Sequence, residues 1–202
     1  MLSEFKRRAR PLLEQEPSSD WDWLTLAQHH GMDTRLLDWT ENPLVALFFA
    51  LESPDKDDTN RVIWLLKIKK SEIIVPSKQQ NPFDLKRTMI FKPNIVSNRL
   101  APQSGWFSVH KYMKGKDEFI SLERNISYSR FLTKIMIKGK LMKMKQHLHL
   151  CGINASTLFP DLDGLCRHIN LQREIDNMYY IKMPQPLKPN KGMHRTRGKA
   201  RR

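Results

Sequence analysis

Residues 28 to 40 read Gln28-His29-His30-Gly31-Met32-Asp33-Thr34-Arg35-Leu36-Leu37-Asp38-Trp39-Thr40, and their reading decides the fold around them. Gly31 can take the left-handed conformation that closes a helix, so the run before it is helical and the run after it starts something new. Upstream, Ser19-Asp20-Trp21-Asp22 has the form of a capping box, a side-chain oxygen followed three residues later by an acid. Trp23, Leu26, Ala27 and His30 recur at helical spacing from that start. His29 and His30 therefore occupy the last turn of a helix. After a short link, Thr34-Arg35-Leu36-Leu37 reads as extended and partly buried. Asn42-Pro43 opens the next helix, with asparagine as cap and proline at the first position, where its missing N–H costs nothing. Leu44, Leu47, Phe48 and Leu51 form one face and Val45, Ala46 and Phe49 keep the other sides apolar, which predicts a buried helix.

Asp38, Trp39 and Thr40 are thus placed between two core elements, a setting that restricts their geometry and suits a preorganised site. The same residues also suit a structural role. Asp38 can pair with Arg35, cap the next helix or receive backbone amides, while Trp39 fills core and His30 ends a helix. With Asp38 the single acid among Asp38, Trp39 and Thr40, this segment is not a paired-carboxylate hydrolase site.

Beyond it, Val62, Trp64, Leu66 and Ile68 alternate with Ile63 and Leu65, predicting a strand apolar on both faces, as a central strand is. Weaker strand signals cover 89 to 96 and 106 to 110. Phe131, Thr133, Ile135 and Ile137 predict another strand, and Gly139 turns the chain into a helix carrying Leu141, Met144, Leu148 and Cys151 on one stripe. A last helix starts near Pro160, with Leu158, Leu162, Leu165 and Ile169 as its core face. Asp161 and Asp163 favour its N-terminal dipole, which makes them structural rather than catalytic. Gly164 inside it costs about 1 kcal/mol against alanine, so close backbone packing is the expected reason for it. No internal repeat or second core is visible. The expectation is an α+β fold, a single domain with a mixed β-sheet and packed helices, over residues 1 to 175.

Composition sets bounds. With 202 residues and 40% hydrophobic content, the chain can bury one substantial core. No run of about 18 apolar residues occurs, and the basic start lacks a secretory apolar segment, so a cytoplasmic protein with no membrane span is expected. Cys151 and Cys166 read as small buried apolar groups. His147, His149 and Cys151, two apart, spread around a helix, so no metal is expected. The formal charge is +14, and +8 of it lies in Lys182, Lys188, Lys191, Arg195, Arg197, Lys199, Arg201 and Arg202 without an acid. Residues 182 to 202 are therefore expected to form a disordered basic tail, suited either to phosphate backbones of nucleic acid or to solubility alone. Arg130, Lys134, Lys138, Lys140, Lys143 and Lys145 form a second basic stretch.

Gln28-His29-His30-Gly31, Thr34 to Thr40 and Asn42 to Ala50 together resemble the signature of the FRG-domain family of bacteria and their phages. Arg99 to Phe107, with Arg99, Gln103, Gly105 and Phe107, is similar to that family's middle motif, and Gly152 to Leu165 resembles its closing motif. The family is named for an upstream Phe/Tyr-Arg-Gly element, and neither tripeptide occurs in the sequence. The resemblance therefore implies an N-terminally shortened FRG-like domain, in a phage, mobile-element or defence setting. It also implies an architecture similar to ADP-ribosyltransferases, with NAD as substrate. On that analogy Asp38 or Gln103 would meet the ribose, Trp39 or Phe107 the nicotinamide, and Arg35 or Arg99 the pyrophosphate, with His30 beside the cofactor. The alternative is a non-catalytic module that binds nucleic acid or a protein partner.

Overall fold

The computed structural model describes residues 1–52, 61–76, 81–93, 105–111 and 120–180. The basic tail, Arg99 and Gln103 lie outside the described residues. Helix α1 (Leu2–Ala9) runs into a 3₁₀ turn, Arg10–Leu12, and then helix α2 (Asp20–His29) begins at the predicted cap. Ser19 Oγ accepts the Asp22 amide at 3.2 Å, while the Asp22 carboxylate accepts the hydroxyls of Ser18 and Ser19. That acid thus anchors both serines as the helix starts.

Every residue from Trp21 to Ala27 is buried, because α2 is covered on two sides. Trp23 and Leu26 pack against Ala9, Leu2 and Phe5 of α1, with the Phe5 and Trp23 rings edge to face at 6.1 Å. Trp21 and Leu24 face the other way, onto a sheet. A helix held between two partners needs two apolar faces, and the absence of a single stripe in its sequence follows. Lys6 of α1 and Asp20 of α2 add an ion pair at the rim.

Among the described residues the sheet has four strands in the order β1-β5-β4-β3: β1 (Leu36–Thr40), β3 (Ile73–Ile74), β4 (Met89–Phe91) and β5 (Gly105–Val109). β1 and β4 run antiparallel to β5, and β3 runs parallel to β4, so the sheet is mixed as expected. Strand alternation sorts its residues. Leu36, Phe91, Phe107, Val109, Met89 and Ile74 form the core beneath Trp21 and Leu24. Ile90, on the opposite face, packs with Tyr128, Leu122, Trp39 and Trp106.

The remaining strands form a separate ribbon. β2 (Arg61–Leu66) pairs antiparallel with β6 (Leu132–Ile137), Val62 opposite Met136 and Trp64 opposite Lys134. Among the described residues β6 is its sole strand partner, which corrects the reading of β2 as a central strand. Leu65 is 58% exposed and Trp64 carries the Lys134 ammonium 5.5 Å above its ring. Apolar alternation on both sides of a strand therefore served helix contact on one side and a cation-covered surface on the other.

Helix α3 (Pro43–Glu52) starts as predicted, Asn42 Oδ1 accepting the Leu44 amide at 2.9 Å. Its buried face is Val45, Phe48 and Leu51, whereas Leu44 and Phe49 are exposed, so the helix is half covered rather than buried all round. It packs against α5 (Leu141–Leu150) and α6 (Ala155–Leu158), which follow α4 (Ile126–Ser129) in the chain. Cys151 and Cys166 are free and exposed, not core groups.

Helix α7 (Leu162–Tyr180) is rotated relative to the expected face. Leu162 is 78% exposed and Leu165 and Ile169 are exposed, while Gly164 and Ile175 are the buried positions. Gly164 explains the rotation. A Cβ there would lie 1.9 Å from the Phe159 carbonyl oxygen, so only glycine allows α7 to seat against α6. Asp161 Oδ1 accepts the Gly164 amide at 2.8 Å, which makes this acid a cap, as its sequence position suggests. The whole is one α+β domain.

Candidate functional site

The site begins where α2 stops. Gly31 sits at φ 80°, and the amides of Gly31 and Met32 return to the carbonyls of Gln28 and Ala27 at 3.0 and 2.9 Å. This closure fixes Gln28 in the last turn and aims the following chain back along the helix. Thr34 Oγ1 then receives the Leu36 amide at 3.0 Å and donates to Gln28 Oε1 at 2.6 Å. Gln28 Nε2 donates in turn to Asp38 Oδ2, also at 2.6 Å. A hydroxyl, an amide and a carboxylate are thus chained from helix to strand.

Asp38 lies within β1, opposite Phe107, between α2 and α3 in the chain. The strand begins two residues later than Thr34, because Thr34 is used as a side-chain acceptor for the amide of Leu36. Being in a strand gives Asp38 a fixed direction on the α2 face. Its residue surface is exposed, yet neighbouring atoms strip water from the carboxyl, and this desolvation raises its pKa above the ordinary 3.8. The bonds from Gln28 and from its own backbone amide act in the opposite direction. The Gln28 bond engages Oδ2, and among the described residues no second side chain bonds to this carboxylate.

The other anticipated residues are distributed differently. Arg35 lays its guanidinium 4.9 Å from the Phe83 ring and donates from Nη1 to the Pro82 carbonyl at 3.4 Å. Trp39 points to the opposite face of the sheet from Asp38, across from Trp106, and its Nε1 donates to Ser108 Oγ at 3.0 Å. Phe107 is 2% exposed and packs 5.5 Å from Phe91, which leaves no ring face for nicotinamide. His30 is exposed at the helix end, edge-on to His29. The structure therefore brings Gln28, Thr34 and Asp38 together, keeps Arg35 nearby in the chain, and sends Trp39 and Phe107 elsewhere.

Two residues without an assigned role in the sequence reading prove central to the other face. Ser108 Oγ lies 3.4 Å from His110 Nε2, so Trp39, Ser108 and His110 form a second polar chain across β1 and β5. His110 is buried, and desolvation followed by the nearby Arg35 charge lowers its pKa below 6.5. The Ser-x-His spacing at a strand end puts both side chains on one face, a signal readable from alternation alone.

Together the fold and this network define a class: an α+β domain whose first strand presents an amide-held carboxylate beneath a helix end. The sequence model of the FRG domain matches residues 1–59, and an FRG domain is present in this chain. The match takes in α1, α2, β1 and α3, hence the whole Thr34–Gln28–Asp38 network; the resembling segments near residues 99–107 and 152–165 lie beyond it. No curated protein and no solved structure matches the chain.

Proposed function

We propose that the chain is an ADP-ribosyltransferase-like protein that takes NAD as substrate, acting in the phage or defence setting its FRG resemblance implies. One observation carries the reading: the Asp38 carboxylate is oriented by Gln28 at 2.6 Å, which is itself locked by Thr34, and no second side chain among the described residues engages it. A carboxylate held this way suits the vicinal hydroxyls of a ribose. In the reaction the bond between ribose C1′ and the nicotinamide nitrogen breaks, its electron pair leaving with nicotinamide. An acceptor's lone pair then attacks C1′ and its proton passes to solvent or a base. A nearby anion favours the oxocarbenium-like transition state. Arg35 is turned toward Phe83 and His110 rather than Asp38, so the cation for pyrophosphate falls to Arg99, with Gln103 the further candidate from the sequence.

The experiment is incubation of the full chain with labelled NAD and mixed DNA, RNA and protein acceptors, beside Asp38→Ala and Gln103→Ala. Transfer or hydrolysis lost in the variants supports the reading. Absence of both NAD binding and turnover in the parent chain overturns it.

A second reading, a nucleic-acid-binding module, is favoured by charge. The chain carries +14, and Lys134, Lys138, Lys140 and Lys143 lie along β6 and the start of α5 without an ion pair among the described residues. Binding by counterion release would show a log–log salt slope of about 0.9 per phosphate neutralised on duplex DNA. Deleting residues 182 to 202 would flatten that slope if the tail contributes.

A further inference from the structure

On the sheet face opposite Asp38, a cleft of about 510 Å³ opens between three segments: the turn around Lys70–Glu72, the residues leading into β4, and the region of α4. This lies within the roughly 300–1,000 Å³ typical of small-ligand pockets. Its walls are built. Tyr128, 3% exposed, donates its hydroxyl to the Thr88 carbonyl at 2.9 Å, and Arg87 Nη2 donates to the Ser71 carbonyl at 3.1 Å, tying the segments together. Burial pushes the Tyr128 phenol up to about 12, so it stands as a neutral wall.

The lining is strongly one-signed. Lys69, Lys86, Arg87, Lys111 and Arg130 all border the cleft. None has a carboxylate within ion-pair distance among the described residues. The one carboxylate described there, Glu72, is engaged with the Lys69 backbone amide at 2.8 Å. Lys69 and Arg130 sit over the Phe131 ring at 5.0 and 4.8 Å, which holds two of the cations against the wall rather than letting them extend into solvent. Converging like charges repel one another, and a solvated basic face spreads them instead. A concave arrangement of five is stabilised when a dense anion occupies it.

We propose that this cleft binds the pyrophosphate or polyphosphate group of a small molecule, such as a nucleoside diphosphate or triphosphate, through Lys86, Lys111 and Arg130, with Lys69 and Arg87 as flanking charges. The volume favours a nucleotide-sized ligand over a nucleic-acid strand. The site is independent of NAD chemistry at Asp38, since the two open on opposite faces of one sheet.

Calorimetric titration of the full chain with inorganic pyrophosphate tests this. Lys86→Glu/Lys111→Glu is compared with Arg8→Glu/Arg173→Glu, which changes net charge equally at exposed positions outside the cleft. The expected result is saturable one-site binding, weakened about tenfold or more by the cleft pair and less than about twofold by the distant pair, as loss of charge-assisted contacts implies. Lys86→Gln/Lys111→Gln should give an intermediate loss, and melting curves confirm that each variant folds. Equal weakening by both charge-reversal pairs, or no pyrophosphate binding by the parent chain even if a single-stranded oligonucleotide binds, would overturn the proposal.

Discussion

Helices α2 and α7 are both rich in apolar residues, yet α2 is buried from Trp21 to Ala27 while α7 leaves Leu162, Leu165 and Ile169 in solvent. The difference lies in what each helix meets. α2 has α1 on one side and the four-stranded sheet on the other, so nearly any apolar residue in it finds a partner. α7 meets α6 through a glycine, and the closest-approach point, rather than the leucine stripe, sets its rotation. Burial of an apolar side chain thus depends on the neighbour available, and one backbone contact can outweigh three large apolar side chains.

The largest effect should come from breaking the better-covered helix. Trp21, 3% exposed and 4.7 Å from the Phe91 ring, fills the space between α2 and the sheet, so Trp21→Ala should cost about 3–5 kcal/mol in denaturant unfolding. Gly164→Ala forces a methyl group against the Phe159 carbonyl and should cost about 3 kcal/mol or displace α7 altogether, read as a lowered melting temperature. Leu162→Ser on the same helix should fall within about 0.5 kcal/mol of the parent. If Leu162→Ser costs more than Gly164→Ala, the rotation assigned to α7 is wrong.

Smaller, pH-dependent effects separate the two faces of the sheet. The folded chain holds the His110 pKa below 6.5, so the folded form resists protonation that the unfolded chain accepts. Stability tied to neutral His110 is present above that value and is lost as pH falls through it toward the lowered folded value. His110→Gln should flatten the melting temperature against pH in this window. Asp38 has the opposite sign. Its raised pKa favours the protonated fold, so its contribution is present below 3.8 and lost as pH rises through the folded value. Because the Gln28 bond lowers that pKa, Gln28→Ala should raise it further, measurable by carboxyl ¹³C titration.

Local chemistry made much of this readable. Ser19, Gly31, Asn42-Pro43 and Asp161 act as caps or closures whose partners lie within a few residues, and each works as its sequence position suggests. Gly164 was readable too, since a glycine inside a helix needs a packing reason. What escaped the sequence depends on partners distant in the chain. β2 carries the pattern of a central strand but pairs in a ribbon, and the cysteines found no core to enter. Trp39 and Asp38 are adjacent in sequence and therefore on opposite faces, so they cannot flank one ligand once both belong to a strand. The Trp39–Ser108–His110 chain spans 69 positions at its first link and required the β1–β5 register to be known.

The central claim is that Asp38 is held for a ligand rather than for the fold. Calorimetric NAD binding by the parent chain and by Asp38→Asn, with melting curves of both, tests it most directly. Asparagine can still accept from Gln28 while removing a charge that the fold desolvates, so the variant should melt at or above the parent temperature at neutral pH and lose NAD binding by about tenfold or more. A destabilised variant that binds NAD as tightly as the parent would contradict it.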